Sequence, residues 1–286
     1  MRKKGKSEGA GFFKRLFARK IVILGAFLVS FFVLGAIFAP VLTPYDPYAQ
    51  DLKNTLSTPS WEHWLGTDLV GRDVLTRILY GARTSLLIGV VAVLFAAAVG
   101  CTLGMISGYF GGVIRSIILR VNDAMMTIPS VMLALALSMV LSGGMTGLMI
   151  VLGISAVPGY VRMMHAQVLS VRESDYVSAA HVLGSPSPRI MARDILPNTM
   201  SALIVMITSQ IGTTILGEAA LSFLGFGVSA PTASWGAMIS EGYPKMMNNP
   251  VFALVPGICI LLLVLGFNLL GDGIRDALDP RLRGTL

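Results

Sequence analysis

Long apolar runs dominate this chain, and a bilayer leaves them few choices. With no water to satisfy it, a backbone crosses hydrocarbon only as a helix or a closed barrel, and runs of about 20 apolar residues select the helix. Six such runs occur, near Ile21–Leu42, Thr84–Ile106, Val113–Leu141, Leu148–Met164, Met200–Leu224 and Val251–Leu270. Only 13% of the 286 residues are charged, which excludes an ordinary soluble domain. The expected fold is therefore an all-α membrane protein with six transmembrane helices. Pro129 and Pro158 should kink the third and fourth spans. Cys101 and Cys259 both fall within spans, so no extracellular disulfide framework is expected.

The net charge of +7 does not point to nucleic acid. Much of it sits in residues 1–20 beside the first span, where it meets anionic lipid head groups. Phe12, Phe13, Leu16 and Phe17 share one helical face there, the pattern of a helix lying in the interface. Lysine and arginine placement sets the orientation. With the N-terminus inside, the inner segments hold seventeen of these residues and the outer segments five: Lys53, Arg72, Arg77, Arg83 and Lys245. Both termini are then cytoplasmic. The chain divides into a basic tail (1–20), the first span (21–42), an external segment (43–83), a five-helix core (84–270) with a cytoplasmic loop (170–198), and a C-terminal tail (271–286).

That loop, SVRESDYVSAAHVLGSPSPRIMARDILPN, is a long polar segment set between apolar spans. Ser174 and Asp175 can cap a helix start. Tyr176 to Leu183 reads as about two turns carrying the small residues Ser178, Ala179 and Ala180, and Gly184 suits the left-handed residue that ends a helix. Ser187 and Pro188 form a second start, Arg189 to Leu196 a second short helix, and Pro197 its stop. Two short helices around a Gly-Ser-Pro corner make a compact knob whose small residues let a partner approach closely.

This pattern resembles the EAA loop of ATP-binding-cassette importer permeases. Ser178-Ala179-Ala180 stands for the EAA triplet, Gly184 for its glycine and Leu196-Pro197 for its final pair. Ser178 replaces the acid, and Asp194 occupies the isoleucine position, with Ile195 one place later. Three further segments resemble the peptide and nickel branch of that family. They are Gly66-Thr67-Asp68 with Gly71-Arg72-Asp73, Arg77, Gly81, Arg83, Ser85 and Leu86; the run from Glu218 through Leu221 to Trp235-Gly236; and Gly271-Asp272 through Asp279-Pro280. Read from the residues alone, the first could be a salt-bridged lead-in to the second span or a contact for an external partner, and structural pairing is favoured. The run ending at Trp235-Gly236 is expected to face the binding protein or the vestibule. Gly271 to Pro280 is expected to form a short cytoplasmic helix.

Within the spans, Ala92, Ala96, Gly100, Gly104, Gly108 and Gly112 recur every four residues and make a packing seam, either within the chain or against a companion. Asp123 either pairs with Arg120 or Arg115 or lines a pathway, since a carboxylate in a span faces protein or water. Ser209, Gln210 and Thr213 form a polar stripe, with Thr214 and Glu218 nearby, and are candidate pathway residues. Interhelical hydrogen bonding is the plainer reading of these groups. A metal at His63 lacks a second ligand at suitable spacing. No catalytic set appears, and no intact P-loop.

The resemblance implies the type I ABC importer permease fold and a C-type dipeptide or oligopeptide permease subunit. It implies a companion permease, two ATPase subunits, an external solute-binding protein and a peptide substrate, with ATP and Mg²⁺ held by the ATPases and no cofactor on this chain. Nickel-chelate or glutathione import is the alternative within the family. A secondary transporter titrating Asp123 and Glu218 is the alternative outside it, and would carry an inverted repeat that is not evident here.

Overall fold

The computed structural model describes residues 16, 19–141, 144–247 and 249–278. The expected interfacial helix over residues 1–20 and the end of the tail, residues 279–286, lie outside most of these. The described residues are nearly all helical. We label the helices α1 (Lys20–Leu42), α2 (Val74–Phe110), α3 (Gly112–Met126), α4 (Ser130–Val140), α5 (Gly144–Arg172), α6 (Asp175–Val182), α7 (Ser187–Ile190), α8 (Leu196–Phe223), α9 (Trp235–Gly242) and α10 (Pro250–Leu278).

Five helices are long and apolar enough to cross a membrane. The third expected span differs: it is two helices, α3 and α4, bent by 95°. The break sits where Pro129 lacks a donor and adopts φ −53°, ψ 134°. Thr127 caps α3 and donates its hydroxyl to the Ala124 carbonyl at 2.7 Å. Pro158 does not interrupt α5, which runs unbroken through it. The other helices outrun their apolar stretches. At 1.5 Å per residue, the 37 residues of α2 span roughly 55 Å, well beyond the roughly 30 Å hydrocarbon layer. The expected separate helix at Gly271 is likewise the continuation of α10 to Leu278.

Three apolar clusters hold the helices together. One joins α1, α2, α9 and α10 around Trp235, Phe252 and Leu263. A second joins α2 and α5 at their loop-side ends, through Val93, Ala97, Tyr160, Val161 and Met164. A third, smaller cluster lies at the opposite end, around Ile88, Val151 and Leu221.

The glycine seam explains why α2 and α5 pack so closely. A Cβ added at Gly100 would stand 2.5 Å from the Tyr160 Cβ, one at Gly104 2.6 Å from the Val161 carbonyl oxygen, and one at Gly108 2.8 Å from the Val168 Cβ. Apolar surface supplies little drive between helices in lipid, so backbone approach and dispersion must hold them. The seam is therefore internal to the chain. Gly112 is outside it: with Gly111 it forms the turn into α3, both at positive φ with open space where a Cβ would stand.

Candidate functional site

The loop begins where α5 ends. Arg172 Nη1 donates to the carbonyls of Gly108 at 3.3 Å and Tyr109 at 3.0 Å, tying the end of α5 to the end of α2. Ser174 occupies the N-cap position of α6, but its hydroxyl donates back to Val171 instead of capping an N–H. α6 closes as a Schellman motif: Ser185 N donates to Ala180 O at 3.1 Å and Gly184 N to His181 O at 3.0 Å. Gly184 has φ +75°, a conformation that strains any residue with a Cβ.

The second half of the loop departs from expectation. Pro186, not Ser187, is the N-cap of α7. Pro197 does not stop the helix. α7 runs through a π-helical turn, Met191–Ile195, directly into α8, and Leu196 N donates to Met191 O across that wider turn. A π turn inserts one residue, and here it lies just before a proline that supplies no N–H. The second loop helix and the fifth span are one continuous element.

Val177, Ile190 and Ile195 anchor the loop: each is at most 3% exposed and packs in the α2–α5 cluster with Val168 and Leu203. Burying such side chains is worth roughly 1.5–3 kcal/mol each. The outward face carries Asp175, Tyr176, Ser178, Ala179, Gly184 and Arg189, all exposed, with Ala180 half-buried at its edge. Val182 and Leu183 are 87% and 84% exposed beside them. The loop thus stands on an apolar foundation and presents a small-residue, partly apolar surface.

The polar stripe of the fifth span is split. Gln210, Thr213 and Thr214 line a cavity of about 100 Å³ with Ser130 of α4 and Ser155 of α5. Ser209 turns the other way and packs on Gly271 of α10, where a Cβ would meet its Oγ at 2.5 Å. Towards the loop, a larger cavity of about 440 Å³ opens between α5, α8 and α10, lined by Met163, Gln167, Ser201, Met206 and Arg275.

Asp123 pairs with neither Arg120 nor Arg115. Its Oδ1 accepts from Arg162 Nη2 of α5 at 2.8 Å, and both side chains are about 60% exposed (59% and 60%). Glu218 does not line the cavity. It is fully buried and accepts hydroxyl hydrogen bonds from Ser85 of α2 at 3.0 Å and Ser222 at 2.8 Å.

The Gly/charge segment before the second span forms an ion-pair cluster at the opposite end from the loop. Asp68 is fully buried and pairs with Arg72 at 2.6 Å and Arg77 at 3.3 Å. Glu241 of α9 closes the cluster, 3.4 Å from Arg72 and 3.7 Å from Arg77. Asp73 caps α2, accepting from Thr76 N at 2.7 Å, and its other oxygen meets His63 Nδ1 at 2.9 Å. Among the described residues no group of three His, Cys, Asp or Glu side chains could hold a metal. Trp235-Gly236 faces inward: Trp235 is fully buried and its Nε1 donates to Ile78 O at 2.9 Å. Sequence reasoning missed Arg162, Ser85, Ser222 and Glu241. Each is a single polar residue whose partner stands far away along the chain or on another turn, and spacing signals nothing about such a partner.

Comparison with known proteins then places the chain. Residues 100–284 match the family model described as binding-protein-dependent transport system inner membrane component. Residues 7–59 match the N-terminal TM domain of oligopeptide transport permease C. The chain is 44% identical to a dipeptide transport system permease protein DppC of Alkalihalophilus pseudofirmus, over 95% of this chain and 89% of that one. It is 39% identical to a glutathione transport system permease protein GsiD of Escherichia coli, over 96% and 90%. It is also 39% identical to a probable D,D-dipeptide transport system permease protein DdpC of Escherichia coli, over 99% and 95%. The fold resembles that of a chain of the MetNI methionine ABC transporter in an inward-facing conformation, with TM-score 0.58 and 18% identity over 71% of this chain and 96% of that one.

Proposed function

This chain belongs to the family of binding-protein-dependent transport system inner membrane components, as a multi-pass bacterial inner-membrane ABC importer permease of the dipeptide and glutathione type, and from that premise we propose that it forms half of a peptide pathway driven by separate ATPase subunits docked on the 170–198 loop. The other half is a companion permease, and an external solute-binding protein delivers the peptide. ATP and Mg²⁺ belong to the ATPases, and this chain performs no bond chemistry.

One observation carries the reading: the loop is anchored at its base by Val177, Ile190 and Ile195 and exposes Tyr176, Val182 and Leu183 at its tip. Apolar side chains held outward on a firm base fit a partner surface. The loop follows α5 directly and leads into α8, the two helices whose side chains line both cavities between them. ATP-driven closure of the ATPases would carry the loop, and the helices would rock to open the pathway on alternate sides. The excess of lysine and arginine on the loop side supports a cytoplasmic position for it.

Dipeptide is the favoured substrate, because the dipeptide relative shares 44% identity against 39% for the glutathione relative. The test is Gly184→Val in the assembled importer. Its left-handed backbone should strain by about 1–2 kcal/mol, so binding-protein-stimulated ATP hydrolysis should persist while uptake falls. Unchanged uptake in that variant would overturn the loop assignment. ATP-independent uptake by this chain alone would instead favour a secondary transporter.

A further inference from the structure

We propose that Asp123 and Arg162 form a reversible charge pair that meets the oppositely charged ends of a zwitterionic peptide in transit; this rests on the peptide-importer reading above. The pair joins α3 to α5 at 2.8 Å, with both side chains more than half exposed. Inside a membrane such charges face water or protein, not lipid. Their place relative to the polar cavity identifies which water. Arg162 follows Ser155 by seven residues on α5, almost two full turns, so both stand on one face. Asp123 precedes Ser130 by seven residues across the α3–α4 break. Ser130 and Ser155 line the cavity together, and Asp123 and Arg162 meet one step nearer the loop. The continuation of the same α5–α8 groove opens into the larger cavity lined by Met163, Gln167 and Met206.

The chemistry suits a transit site. Each charge neutralises the other when the pathway is empty, so neither stands unpaired in a low-dielectric wall. An exposed pair is weak, because water competes for both partners. A peptide carboxylate can take Arg162 and a peptide ammonium can take Asp123, and the number of ion pairs is unchanged. The exchange favours a solute with both charges over one with a single charge, and it holds neither tightly enough to block release.

The test uses cells in which the complete importer is the only route for a labelled dipeptide with free termini, together with the purified complex for ATP hydrolysis. Arg162→Gln, Asp123→Asn and the exchanged double variant Asp123→Arg/Arg162→Asp are compared with the parent. Each single variant should lower uptake about tenfold, the loss expected for one hydrogen bond to a charged group, while binding-protein-stimulated hydrolysis stays within about twofold. The exchanged variant restores an ion pair but reverses its polarity, so it should not recover uptake. Recovery to the parent rate would show a purely structural pair and overturn the proposal, as would parent-like uptake by either single variant. An importer whose parent form fails to couple uptake to ATP would overturn the function reading itself, a result distinct from either.

Discussion

Widening the α2–α5 seam by one methyl group is the most direct test of what holds this permease together. In Gly100→Ala the new Cβ would lie 2.5 Å from the Tyr160 Cβ and 2.8 Å from the Val157 carbonyl oxygen. Carbon atoms rest comfortably at about 3.5–4.0 Å, so the helices must part by about 1 Å. Neither opposing atom can rotate away, because one is backbone and the other is fixed to it. A gap of that size forfeits a quarter to half of each dispersion contact nearby, and overpacking of this kind costs about 2–3 kcal/mol. Alanine returns about 1 kcal/mol through helix propensity. The net loss is about 1–2 kcal/mol, or about 2–8 °C in melting temperature for a protein of this size. Thermal unfolding of the purified chain in detergent would read it, with Gly257→Ala as control. Gly257 lies within α10 with nothing within 4 Å of a built Cβ, so alanine there should be neutral or stabilising. Equal melting temperatures for Gly100→Ala and Gly257→Ala would refute the claim that backbone approach at the seam supplies the stability.

Further outcomes follow from the same structure. Arg77→Met leaves buried Asp68 with Arg72 alone and should cost about 3–5 kcal/mol; adding Asp68→Asn should recover much of it, both read as melting temperature and membrane expression. Glu218→Leu strands the Ser85 and Ser222 hydroxyls and should cost about 1–3 kcal/mol for each group left unpaired, whereas Glu218→Gln keeps acceptors and donors in place and should cost less. Tyr160→Phe should raise stability by about 1 kcal/mol, since the buried Tyr160 hydroxyl has no partner among the described residues. Trp235→Phe removes the bond to Ile78 and should lower stability by about 1 kcal/mol beyond the loss of packing area.

The apolar runs made the helical fold legible, because hydropathy registers where a backbone can lie in lipid. They did not show where helices end. α2 and α10 run past their apolar stretches, since nothing in water stops a helix that lacks a breaker. Pro129 announced a disturbance but not its 95° size, which depends on the neighbours that receive α4. At the candidate site, Gly184 was readable because a left-handed corner has a local signature, and the ladder of Gly100, Gly104 and Gly108 because small residues at a four-residue spacing do. The partners of Asp123 and Glu218 were not readable. Spacing says which residues share a face, and only the packed chain says which helix that face meets. Ser209 shows the same limit: one turn from Thr213 in sequence, it lies against Gly271 and not in the cavity.

The wide turn at Met191–Ile195 has a consequence for how this protein tolerates change in length. It carries one residue more than a regular helix would need, and that surplus fixes the rotational phase of everything downstream. Deleting any single residue there would let the rod close into ordinary winding and swivel the membrane portion by about 100°. Gln210, Thr213 and Thr214 would then look away from Ser130 and Ser155, although no residue near the cavity had been touched. A screw thread cut one notch short turns the whole bolt.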